Sequence, residues 1–84
     1  MTIEEFVNET IKEHKQAKKQ LKNITTNIPL TMLEENSIST EQFIQKIKEQ
    51  GYEIDYAKNI KGKYWKELWK KAPNLVIYEK TTIL

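Results

Sequence analysis

The sequence predicts an α+β fold that is mostly α: a long N-terminal helix followed by a small compact part with a short two-stranded sheet. Three observations carry this. The first two dozen residues repeat apolar positions every three or four residues, residues 52–56 and 75–78 change to strand-like patterns, and segments 39–50 and 64–72 return to helical spacing with a stop signal directly after each. Eighty-four residues leave room for one domain, read as a helix over 1–24 and a compact part over 28–84.

The first helix begins at Thr2, which forms a capping-box pattern with Glu5. Glu4, Glu5, Glu9 and Glu13 come early, while Lys15, Lys18, Lys19 and Lys22 come late, so both charge blocks complement the helix dipole. Ile3, Val7, Thr10, His14, Ala17, Leu21 and Ile24 recur at steps of four and three, flanked by Phe6 and Ile11. The middle of that seam is polar, which argues against a strong coiled coil. A polar hinge over 23–27 follows. Pro29 and Asn36 then bracket a short helix whose apolar residues are Leu30, Met32 and Leu33.

Segment 39–50 carries signals at both ends. Ser39 with Gln42 reads as a cap, Ile38 can staple onto Phe43, and Gly51 supplies the left-handed residue that closes a helix, with Tyr52 folding back onto Ile47. Phe43, Ile44 and Ile47 form its inward stripe. In 52–56 the tyrosines and Ile54 alternate with Glu53 and Asp55, the pattern of a half-buried strand. After a lysine-rich turn over 58–62, helical spacing returns with Trp65, Leu68, Trp69 and Ala72 on one stripe, and Pro73 stops it. Leu75 to Tyr78 form a last apolar strand.

Composition excludes several classes of chemistry. The chain has no cysteine and one histidine, so neither a disulfide framework nor a zinc site is expected, and no metal or cofactor is predicted. Neither glycine belongs to a phosphate-binding loop, and the adjacent acids Glu4–Glu5 and Glu34–Glu35 point in different directions on their helices. An enzyme is therefore not expected. No apolar run has the length of a signal peptide or membrane span, and a cytoplasmic protein is the expectation. Abundant Ile, Lys and Asn without Arg fit an AT-rich genome, such as that of a low-GC bacterium, a phage or another mobile element.

Near-neutrality hides a segregation of charge. The net charge is +2, yet segment 58–71 holds six lysines and one acid, leaving the remainder at −3. On a helical wheel Lys63, Lys66 and Lys70 fall within roughly 60° of one another, opposite Trp65, Leu68 and Trp69. Lysines in such an array neutralise phosphates without reading bases, because each is a point charge and not a planar fork. The candidate nucleic-acid contacts are Lys58, Lys61, Lys63, Tyr64, Lys66, Lys70 and Lys71, with Tyr64 positioned to stack on a base. The bland alternatives are a solvated lysine face and a pair of core tryptophans. A protonation-sensitive contact at His14 likewise competes with a hydrogen-bonded histidine at the core edge.

The long helix offers a second surface. Around Phe6, Val7 and Ile11 it could dock on a larger protein partner or pair with a copy of itself as a homodimer. The sequence thus allows a nucleic-acid-associated accessory protein touching a DNA or RNA backbone, or a protein-binding adaptor or inhibitor.

The capped helix 39–50 with Gly51 and Tyr52, the segment 63–72 with its two tryptophans, and the Pro73–Asn74 passage into strand 75–78 together resemble a winged-helix domain of the LOTUS type. The likeness spans residues 37–78. It implies that Lys63, Lys66 and Lys70 lie on an exposed recognition helix. The first function expected is an accessory subunit of a phage or mobile-element replication or transcription complex.

Overall fold

The computed structural model describes residues 1–21 and 24–79. The chain runs α1 (Ile3–Gln20), β1 (Thr26–Pro29), α2 (Leu30–Glu35), α3 (Thr40–Glu49), β2 (Glu53–Tyr56), a 3-10 turn (Ala57–Asn59), α4 (Lys63–Lys71) and β3 (Asn74–Tyr78). The α+β class and the long N-terminal helix stand as expected, but the sheet has three strands in the order β1-β3-β2, all antiparallel. The added strand is β1. Residues 23–27 read as a polar hinge, yet Thr26, Asn27 and Ile28 pair with Ile77, Val76 and Leu75. Pairing satisfies their backbone groups, and the β-branched Thr26 and Ile28 suit a pleated edge that ends at Pro29. Lys22 and Asn23 lie outside the described residues.

Helix α1 stops earlier than its apolar seam suggests. The Thr2 hydroxyl accepts from the Glu5 amide at 3.2 Å while the Glu5 carboxylate accepts from the Thr2 amide at 3.2 Å, and the same bonds hold the Glu5 carboxyl below its ordinary range. At the other end Leu21 is extended and exposed, so the turn toward β1 begins before the last two seam positions. Ile24 is nevertheless buried, outside the helix.

The ends of α3 follow the sequence closely. Ser39 accepts from the Gln42 amide, and Ile38 and Phe43 are both buried in one core cluster. Gly51, at φ +92°, lets its own amide reach the Lys48 carbonyl and the Tyr52 amide reach the Ile47 carbonyl.

Strand β3 is the centre of the molecule. Leu75 and Ile77 face a core built from Phe6, Val7, Ile11, Ile28, Leu33, Ile38, Phe43, Ile47 and Ile54, so α1, α2 and α3 cover that side of the sheet. Phe6 meets Phe43 edge to face at 5.4 Å, and Lys46 on α3 lies 3.7 Å from Glu4 on α1. On the opposite side Val76 packs with Ala57 and Ile60 under Trp65, Trp69 and Tyr78. The alternation of β3 residues between two cores puts α4 on its own face of the sheet, away from the three other helices.

Candidate nucleic-acid interface

Helix α4 is positioned from its two ends. Gly62 precedes it at φ +131°, a conformation that disfavours side chains, and Ala72 caps it in an extended conformation with its amide on the Leu68 carbonyl at 2.8 Å. Pro73 then turns the chain into β3, and its carbonyl accepts from the Leu30 amide at 3.1 Å. One stripe of α4 therefore lies over the sheet. The other must face water.

Lys63, Lys66, Lys70 and Lys71 are exposed on α4, and Lys58 and Lys61 are exposed just before it. None of these six lysines makes an ion pair among the described residues. The ammonium of Lys58 sits 5.0 Å from the Trp69 ring centroid and 5.7 Å from that of Tyr56, a cation–π arrangement that holds one positive charge beside the aromatic stripe. Tyr64 is 63% exposed and meets Trp65 edge to face at 4.9 Å. All seven candidates thus fall in one region, on α4 and the connection leading into it.

Comparison with protein-family models, with curated proteins and with solved structures returned no match.

The tryptophans stand between the two expectations for them. No α4 residue is fully buried, but Trp65 and Trp69 pack against Ala57, Ile60 and Val76. They anchor the helix with one part of each ring and leave the rest accessible.

The second predicted surface needs correction. Phe6, Val7 and Ile11 are buried in the core against α3 and the sheet, because the short domain uses the apolar seam of α1 for its own packing. Most of their surface is taken up by the chain's own core, and Phe6 reaches the surface only at the floor of a groove. The accessible part of that region is a neighbouring groove of about 580 Å³ lined by Met1, Met32, Asn36 and the acids Glu5, Glu9 and Glu13. The helical periodicity of Glu5, Glu9 and Glu13 was visible in the sequence. What was missing was the position of α2, which brings Met32 opposite them.

His14 is 1% exposed. Its Nδ1 lies 2.7 Å from the Thr26 hydroxyl on β1, its ring meets Tyr52 edge to face at 5.4 Å, and its Nε2 faces Glu79 at 3.7 Å. That last separation is too long for a hydrogen bond. Glu79 is held instead by Lys18, 2.8 Å away, which keeps the Glu79 carboxyl below its ordinary range and the Lys18 ammonium above its own. Burial pushes the His14 imidazole below its usual value, against the opposing pull of Glu79. Because a carboxylate only accepts, the nitrogen facing it carries the hydrogen, and Nδ1 accepts from Thr26. His14 thus fastens α1 to β1 as a neutral ring.

Among the described residues no group of three or more His, Asp or Glu side chains converges as a metal site, and no helix is long and apolar enough to cross a membrane.

Proposed function

We propose that this protein is a small, non-enzymatic, nucleic-acid-associated accessory protein, cytoplasmic and of phage or mobile-element type, that contacts phosphates through α4. The observation that carries this reading is the set of six exposed lysines in 58–71, none in an ion pair among the described residues, two of them just before α4 and four on that helix, whose other face is anchored to the sheet. Phosphate contacts release condensed counterions, and such binding weakens steeply with salt. The missing Arg removes the usual bidentate reader of guanine, so sequence preference is modest.

The winged-helix likeness puts these lysines on a recognition helix, and that placement does not carry over. Strands β2 and β3 are paired neighbours, and the connection between them is the segment that carries α4. In this reading α4 takes the place of a wing, and α3 is the helix that precedes the paired strands. Lysines on a wing serve phosphate contact as well as lysines on a recognition helix do.

The test is a titration of labelled oligonucleotide at increasing salt. Binding is expected at about 50 mM salt, with affinity falling by roughly 0.7 to 0.9 log units per log unit of salt for each phosphate contacted. The triple variant K63Q/K66Q/K70Q lowers that slope by about 2 to 3 if all three touch phosphates, and K63E/K66E/K70E abolishes binding. Absence of binding by the native chain at low salt refutes the proposal.

A second reading, a protein-binding adaptor, is favoured by the groove beside α1, where flexible methionines lie next to acids. Pull-down from the native host with and without nuclease separates the two. A nuclease-resistant protein partner favours the adaptor, and loss of all partners after nuclease favours the phosphate contact.

A further inference from the structure

The aromatic rings among the lysines narrow the class of nucleic acid. We propose that Tyr56, Tyr64, Trp65 and Trp69, with Lys58 beside Tyr56 and Trp69 and the exposed lysines of α4 flanking the rings, form a binding surface for single-stranded nucleic acid. Unpaired bases stack on the rings while the ammonium groups follow the phosphates. This rests on the phosphate-contact reading of α4 and extends it.

Three observations carry the inference. First, Trp65, Leu68 and Trp69, the sheet-facing stripe of α4, are only half-buried, so ring surface beyond what packs on Ala57, Ile60 and Val76 is open to a ligand. Second, the rings are arranged edge to face, Tyr64 with Trp65 at 4.9 Å and 81° and Tyr56 with Trp69 at 5.9 Å and 85°. In such a pair the ring offering its edge keeps both faces uncovered by its partner, and Tyr64 is the most exposed of the four. Third, Lys58 holds its ammonium close to both Tyr56 and Trp69. That ammonium covers a ring face, and its flexible side chain lets a base take the face while the charge moves to the adjacent phosphate.

Duplex cannot use this surface fully. Its bases are already stacked on one another, so it offers edges and phosphates but no free base face except at its ends. The lysines would still attract it, and the rings would add nothing. Because every base has a face to stack, the surface is tolerant of sequence, which agrees with the absence of Arg.

The experiment measures binding of an oligothymidylate and an oligouridylate of about fifteen nucleotides, and of a DNA duplex of equal length, at about 50 mM salt. Single strands are expected to bind roughly tenfold or more tightly than duplex, with quenching of the tryptophan emission on binding. Tyr64→Ala weakens single-strand binding by about fivefold or more and leaves duplex binding unchanged, whereas Tyr64→Phe retains native affinity because the ring face is what binds. The exposure of Tyr64 keeps these variants folded, which circular dichroism verifies. The thymidylate and uridylate arms distinguish DNA from RNA as the source of the strand. Equal affinity for single and double strands, with Tyr64→Ala silent, overturns the stacking surface but leaves phosphate contact standing. No binding in any arm overturns both.

Discussion

Protonating His14 would place a cation where the ring is buried and where Lys18 already pairs with the facing carboxylate of Glu79. Its folded-state affinity for a proton is therefore below that of the exposed ring in the unfolded chain, despite the attraction of Glu79. The unfolded chain then binds more protons, so stability rises with pH across the window. The contribution is complete above the ordinary histidine value of about 6.5 and is lost as pH falls from there toward the lowered folded value. Urea midpoints measured between about pH 5 and pH 8 should rise with pH, and His14→Gln should flatten that rise. A flat native profile would dispose of the effect. At the same scale, Phe6→Ala removes a ring that touches Phe43 inside the core and should cost about 3–5 kcal/mol. Denaturant unfolding checks this. A stable Phe6→Ala protein that lost only a partner would return Phe6 to the surface role read from sequence.

Elements whose ends are written in side-chain chemistry were the most legible. Helix α3 has its cap in Ser39, its staple in Ile38 and Phe43, and its close in Gly51, and each works through residues within a few positions of it. Ser39→Ala should therefore cost about 1 kcal/mol, and Gly51→Ala at least as much because of its φ of +92°. Thermal unfolding of the two variants measures both. Strand β1 was illegible for the opposite reason. Its four residues have a polar neighbourhood, and what makes them a strand is β3, some fifty residues later. Propensity does not see a partner that distant. The lysine face of α4 was legible because a solvent-facing stripe needs no partner to define it. The burial of Phe6, Val7 and Ile11 was not, since an apolar helix seam reads the same whether its cover comes from the same chain or from another.

For the whole molecule, the charge segregation and the sheet have a common geometry. The three core helices lie on one face of the sheet and the lysine-bearing helix on the other, so β3 separates structural packing from the candidate contact surface. Lysine substitutions on α4 can then change binding while the larger core stays intact. A cut after residue 73 would remove β3 and leave β1 and β2 without a common neighbour. Such a truncated chain should show no cooperative unfolding transition in a denaturant titration, and a cooperative one would contradict the central role given to β3.

That same strand has a temporal consequence. A chain emerging from the ribosome presents its three core helices and both outer strands before residues 74–78 appear, so the apolar floor on which they pack is absent until those five residues are made. Bringing β1 to β3 closes a loop of some fifty residues, an entropic cost that pairing can repay only once β3 has emerged. Helices and outer strands are thus made before the strand that joins them.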